Sequence, residues 1–193
     1  TMRFELVLHG ARAHTARPWM GRNAIHRLAD VLGLVAGWPG REPVVEGCRF
    51  REALQAVKVE GGVAGNVVPD RVSLLINHRF APDRTAHEAE QFVRDLLAPA
   101  LESGDSLELR DVADAAAPGL THPLLRTMVE RHGLDVQAKL GWTDVARFAA
   151  HGIPASNFGP GDNRLAHTKD ERVERGVLER TYAVLDDLLR RGA

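Results

Sequence analysis

Arg71-Val-Ser-Leu-Leu-Ile-Asn-His-Arg-Phe-Ala-Pro-Asp-Arg-Thr-Ala-His-Glu88 decides how this chain folds, because it reads as a strand, a turn and a helix start in direct succession. Val72, Leu74, Ile76 and Phe80 alternate with Ser73, Leu75, Asn77 and Arg79, the period-2 pattern of a strand with one buried face. Thr85-Ala-His-Glu88 is a capping box, in which a hydroxyl and a carboxylate satisfy N–H groups that the first turn of a helix leaves free. Ala89, Phe92, Leu96 and Leu97 then form an apolar stripe, and Pro99 ends the helix.

Upstream, Arg3 to His9 alternates with Phe4, Leu6 and Leu8 inward. Ile25, Leu28, Ala29, Leu32, Val35 and Ala36 form a helical stripe closed around Gly37 and Pro39. Gly40 to Arg51 has no period and reads as loop, and Leu54 to Glu60 reads as another strand. Gly61-Gly62 and Gly65-Asn66 connect it to Arg71. Downstream, Ser106 to Val112 is a fourth strand. The order βαββαβ predicts a ferredoxin-like two-layer α/β sandwich over residues 1–113.

Ala113 to Gly119 is small, acidic and ended by proline and glycine, which places a boundary there. Residues 114–193 are expected to hold a helix from Thr121 to His132, a strand near Val136 to Leu140, and a short helix with Val145, Phe148 and Ala149. A buried strand from Ile153 to Phe158 and a glycine- and proline-rich loop follow. A closing helix from about Glu174 is expected to bury Val177, Leu178, Thr181, Val184, Leu185, Leu188 and Leu189. So few strands cover three helices poorly, so this piece is expected to complete a larger α/β sheet. The chain also opens inside a strand, which predicts that it is part of a longer polypeptide.

Bulk properties exclude several classes. Hydrophobic content of 44% in 193 residues supports a globular core, and a net charge of −1 gives no general attraction to nucleic acid or membranes. No apolar run approaches the roughly 20 residues of a membrane helix. Cys48 is the single cysteine, so no internal disulfide forms and a reducing, cytoplasmic setting is expected.

Four motifs occur in order along the chain: Ala13-His14-Thr-Ala-Arg-Pro18 with Gly21-x-Asn23; Gly61-Gly-Val-Ala-Gly-Asn66-Val-Val-Pro69; Asn77-His-Arg79-Phe-Ala-Pro82; and Gly141-Trp-Thr-Asp144 running through Gly152-Ile-Pro154 and Asn157-Phe-Gly-Pro-Gly-Asp162 to Ala166-His167-x-x-Asp170-Glu171. Together they resemble the C-terminal part of the two-zinc family of aminoacylases, acetylornithine deacetylases and zinc carboxypeptidases, nearest its desuccinylase members. The resemblance implies hydrolysis of a succinyl amide with two zinc ions in the complete enzyme. It also implies that residues 1–113 form a dimerisation domain and residues 114–193 an incomplete part of the catalytic domain. By the resemblance His167 binds one zinc, and His14 reaches into the partner subunit's active site to stabilise the tetrahedral oxyanion, which makes the protein a homodimer. Asn66 and Arg79 would contact a small-molecule substrate, the arginine gripping a carboxylate as a planar guanidinium does well. Gly141, Thr143 and Asn163 would line the same cleft.

The family's other zinc ligands and its Glu-Glu general base lie upstream of the matched region, so the chain alone is expected to be inactive and not to retain the metal. The local pattern departs from the commoner Gly-Thr-Ser-Asp-Gly-Arg-Phe, with Trp142 inserted and Arg147 one place further from Asp144, which leaves open which residue there touches substrate. On the residues alone, His14 could merely cap a helix, Asn66 serve a turn and Arg79 be an exposed strand charge. The other histidines and Cys48 read as structural or exposed. Two alternatives stand beside the desuccinylase reading: another N-acyl-amino-acid hydrolase or carboxypeptidase, and a non-catalytic dimerisation or amino-acid-binding module.

Overall fold

Alternating apolar residues become the centre of an antiparallel sheet in the computed structural model, which describes residues 1–192. Strand β1 (Met2–His9) pairs on one side with β5 (Arg71–Arg79) and on the other with β6 (Ser106–Val112), and β4 (Ala53–Gly61) adds to the outer side of β5. The order β4-β5-β1-β6 is that of a ferredoxin-like sheet. Register sets Leu6 against Leu74 and Phe4 against Ile76, so both strands present their apolar residues to one face. Helices α1 (Ala24–Gly37) and α2 (Ala86–Leu97) cover that face. Met2, Phe4, Leu6, Leu8, Val72, Leu74 and Ile76 are all fully buried beneath them.

Local signals hold where they are strongest. Asn23 caps α1 by accepting from the N–H groups of Ile25 and His26, and both hydrogen bonds of the Thr85–Glu88 capping box form. The buried stripe of α1, however, is Ala24, Leu28, Val31 and Val35, while Ile25 and Leu32 are more than a third exposed. Two stripes with the same spacing share Leu28 and Val35, and the sheet selects the one that faces it. The expected loop at 40–51 holds a small hairpin, β2 (Val44–Val45) with β3 (Cys48–Arg49), whose turn places Glu46 and Gly47 at φ 49° and 79°. Beyond Leu54 strand β4 is exposed, and a register shift between Ala56 and Lys58 breaks its alternation.

The second piece departs further from expectation. It contains α3 (Pro123–His132), α4 (Val145–Ala150) and α5 (Arg175–Arg191), but neither Val136–Leu140 nor Ile153–Phe158 is a strand. Ile153 is 49% exposed and Phe158 37%. A strand exists only through hydrogen bonds to a neighbour, and among the described residues none lies beside either segment. Of the seven residues expected to be buried on the closing helix, only Val184 is buried, and Leu189 is 85% exposed. Asp187 ties α5 to α3 by accepting from Arg131 and His132. A second small core of Cys48, Phe50 and Ala81 packs against Leu120, Ala138 and Leu140, so the β2–β3 hairpin meets the segment after β6. The Leu120 N–H donates to Glu46 Oε2 at 2.6 Å across the same contact.

Candidate functional site

Two groups of the expected site residues stand at opposite ends of the sheet. At the end reached by His9 and Arg71, backbone hydrogen bonds stitch the loop after β1 to the loop before β5. The Thr15 N–H donates to the Asn66 carbonyl and the Val68 N–H to the Ala13 carbonyl, making a bridge between His14 and Val67. Gly10 is needed to start this loop, since a Cβ there would lie 2.1 Å from the Arg22 carbonyl oxygen. His14 and Asn66 are therefore neighbours, and both are exposed. The Ala16 N–H donates to His14 Nδ1 at 3.0 Å, which leaves the proton of a neutral imidazole on Nε2 as an outward-facing donor.

Arg79 stands at the far end of β5, roughly 25 Å from that loop at about 3.4 Å per residue. Its Nε donates to Asn77 Oδ1 at 3.0 Å, and among the described residues no carboxylate pairs with it. It lines a recess of about 620 Å³ that also takes in Arg3, Asp111, Asp114, Trp142 and Arg147. Gly141 and Thr143 line a narrower space of about 190 Å³ that shares Asp114, Trp142 and Ala146 with the first. Asn163 lines a third, of about 940 Å³, which shares Asn157 and Phe158 with the second. The three recesses adjoin through these shared residues, a furrowed surface that runs from Arg79 past Thr143 to Asn163. Thr143 is held within it by Asn157, whose Nδ2 donates to Thr143 Oγ1 at 3.1 Å. Asp144 precedes α4 without making a side-chain cap.

His167 lines none of these recesses. It is exposed and held at φ 62°, a left-handed backbone unusual for a residue other than glycine, and its N–H donates to Glu171 Oε2 at 2.9 Å. Glu171 thereby spends an oxygen on fixing the loop. Among the described residues no group of three His, Cys, Asp or Glu side chains could hold a metal ion. One exposed imidazole does not make a zinc site, which takes three or four protein ligands, so these residues by themselves do not fit the metal.

Sequence reasoning left one feature open and passed over a second. Arg147 stacks over Trp142 with its guanidinium carbon 5.5 Å from the ring centroid, beside Arg79 in one recess; the insertion of Trp142 was the available signal. The second is a buried polar network at the same end of the sheet, beside the last residues of β5. His78 is fully buried, its Nδ1–H donating to the Ala53 carbonyl at 3.1 Å while Nε2 accepts from Arg84 at 2.8 Å. Burial pushes its imidazole down to about 4, with Arg84 and Arg41 adding to the effect against the Ala53 hydrogen bond. The signal that could have found it is period-2 alternation, which sets His78 on the same face as Ile76 and Phe80. Glu52, whose side chain is wholly buried, accepts from Arg84, Arg41 and the Ala81 N–H. Arg41 also pairs with Asp83, and Arg84 lies over the Phe92 ring.

Comparison with known proteins adds three findings. Residues 1–105 match the family model for the M20 peptidase dimerisation domain. The chain is 52% identical to a putative succinyl-diaminopimelate desuccinylase, DapE, of Mycobacterium tuberculosis H37Rv, over 99% of this chain and 52% of that protein. It is 39% identical to the succinyl-diaminopimelate desuccinylase of Corynebacterium glutamicum, over 97% of this chain and 51% of that one. Among solved structures, the M20 family metallo-carboxypeptidase Sso-CP2 from Sulfolobus solfataricus superposes with a TM-score of 0.68 at 14% identity, over 95% of this chain and 55% of that one, a likeness of fold. The chain spans about half the length of the curated relatives it matches. No described helix is long and apolar enough to cross a membrane.

Proposed function

The chain belongs to the M20 peptidase family, and on that premise we propose that it supplies the dimerisation and substrate-anchoring part of a zinc-dependent amide hydrolase that removes succinate from N-succinyl-L,L-diaminopimelate. The 52% identity to a putative DapE along nearly the whole chain carries this reading. In it residues 1–113 form the dimerisation domain and residues 114–193 a portion of the catalytic domain, in a cytoplasmic homodimer.

The separation of the two residue groups supports the dimer. His14 and Asn66 cannot reach the furrow beside Arg79 of their own protomer, because a strand's length lies between them. A second copy can present the His14 loop there. Its Nε2–H, fixed as a donor by the Ala16 N–H, would then face the oxygen on which charge develops. Trp19, Met20, Ile25 and Leu32, all apolar and exposed on this domain, are consistent with a surface covered by another subunit. His167 would give one imidazole to zinc, whose other ligands the described residues do not provide. Arg79 would hold a substrate carboxylate, with Gly141, Thr143 and Asn163 further along the furrow.

Comparing hydrolysis of N-succinyl-L,L-diaminopimelate with that of N-acetyl-L-ornithine and a C-terminal peptide by the natural full-length protein tests the reading. The succinyl substrate should be favoured, and His14→Ala should lower kcat about 100- to 1,000-fold, the usual effect of losing an oxyanion donor. The 193 residues alone should show no turnover with added zinc. Preference for the acetyl or peptide substrate would instead make the protein another acyl-amino-acid hydrolase or a carboxypeptidase.

A further inference from the structure

We propose that the turn from Glu102 to Asp105 braces the loop that carries His14, and that these two acids are positioning residues for its imidazole. The catalytic consequence rests on the hydrolase reading above, whereas the brace itself does not.

His14 to Met20 are all exposed, so no core packing holds the loop where it is. Its place is set at its stems. Ala11 and Arg22 exchange two backbone hydrogen bonds of 2.8 Å, which close the loop three residues before His14. A Cβ at Gly21 would lie 2.6 Å from the Ala11 carbonyl oxygen, so the stems meet without room for a side chain. The Asn66 carbonyl and the Val68 N–H fasten one side of the loop. Glu102, 80 residues from Arg22 in sequence, fastens the other.

The fastening reaches both stems. On the entry stem Asp105 Oδ1 accepts from the His9 N–H at 3.0 Å, and Arg27 donates to the His9 carbonyl at 2.8 Å. On the exit stem the Arg22 guanidinium forks onto the Glu102 carboxylate with hydrogen bonds of 2.5 and 2.6 Å. Asp105 is the hub. Its side chain is 1% exposed and accepts from Arg27 at 2.8 and 2.6 Å and from the Glu102 N–H at 2.8 Å. Glu102 is thereby fixed before it meets Arg22, and Gly104, at φ 97°, makes the tight turn that joins the two acids. A bidentate guanidinium–carboxylate pair sets direction as well as distance, which an exposed loop cannot draw from packing.

An oxyanion donor must stand about 2.7–3.1 Å from the developing charge, and a misplacement of about 1 Å can cost on the order of 100-fold. Released at its exit stem, the loop would keep His14 and its tautomer but spread its position. The test uses the natural full-length protein loaded with zinc and its variants Glu102→Ala, Glu102→Gln and Arg22→Ala. Both side chains are about half exposed, so these changes spare the core, which Asp105→Asn does not. Glu102→Ala and Arg22→Ala should each lower kcat for N-succinyl-L,L-diaminopimelate about 5- to 30-fold with KM within about twofold, part of what complete loss of an oxyanion donor costs. Glu102→Gln keeps one acceptor and should lose less. Added to His14→Ala, Glu102→Ala should lower kcat no further, because the brace acts through an imidazole already removed. Hydrogen exchange read by mass spectrometry without substrate should be about fivefold faster over residues 10–22 in Glu102→Ala, with β5 unchanged.

Wild-type kcat in Glu102→Ala and Arg22→Ala, or a loss that multiplies with that of His14→Ala, would overturn the positioning role and leave the hydrolase reading standing. If the full-length protein cleaves no succinyl amide, the hydrolase reading fails and exchange decides the brace. Faster exchange over residues 10–22 sustains it, and unchanged exchange overturns it.

Discussion

Replacing Glu52 by alanine should be among the most damaging single changes in this fold, although no function is assigned to it. Its carboxylate is wholly buried and accepts from Arg84 at 2.6 Å, from Arg41 at 3.2 Å and from the Ala81 N–H at 2.9 Å. Arg84 is 11% exposed, and its Nε has no partner among the described residues. Without Glu52 the guanidinium would face His78, whose burial keeps it neutral, and the Phe92 ring. Removing one member of a buried ion pair costs about 3–5 kcal/mol, because the survivor loses its counter-charge without regaining water. For a chain of this size that corresponds to a fall in Tm of the order of 10 °C. Glu52→Gln keeps the shape and one acceptor and should cost about half as much. Glu52→Met with Arg84→Met removes both charges and should be milder than Glu52→Ala alone, giving a coupling energy of about 2 kcal/mol or more. Urea unfolding followed by circular dichroism reads the wild type, Glu52→Ala, Glu52→Gln, the single variants Glu52→Met and Arg84→Met, and the double variant. A loss below about 1 kcal/mol for Glu52→Ala, or additive effects in the double variant, would refute this account of the network.

Two pH effects follow from other buried groups. His78 is held down to about 4, against 6.5 when exposed, so between these values the unfolded chain binds a proton that the folded chain refuses. Stability should therefore fall by about 3 kcal/mol as pH drops from 6.5 to 4, at about 1.4 kcal/mol per unit; a His78→Phe variant that keeps the same slope in urea melts would contradict this. Asp105 behaves oppositely. Burial would raise it, but two hydrogen bonds from Arg27 and the N–H groups of His9 and Glu102 outweigh that and bring it to about 2. Its contribution is fully present above 3.8 and is lost as pH falls towards 2. Asp105→Asn should cost about 2 kcal/mol at pH 7 and flatten the melt midpoint between pH 4 and 2; an unchanged acid limb would count against the assignment.

What could be read from the sequence was what a few neighbouring residues decide. Alternation in β1 and β5 exposes or buries whole side chains with period 2, and the Thr85–Glu88 box closes over a single turn, so both were legible without coordinates. The motifs around His14, Asn66, Arg79 and His167 were legible too, as a resemblance. The furrow was not, since Arg79 lies on β5 and Trp142 and Arg147 lie some sixty residues later beyond a chain reversal. Glu52 and Arg84 are likewise distant in sequence, and an isolated glutamate gives no sign that it will be buried. The face of α1 was chosen by the sheet from two equivalent stripes. At Val136–Leu140 and Ile153–Phe158 the apolar pattern of a strand is present without the neighbour that would make it one. Sequence alone thus determined the conformations that local sterics and hydrogen bonds settle. Only tertiary structure decided which faces are covered, which charges meet and where a strand is realised, because each depends on groups brought together by folding.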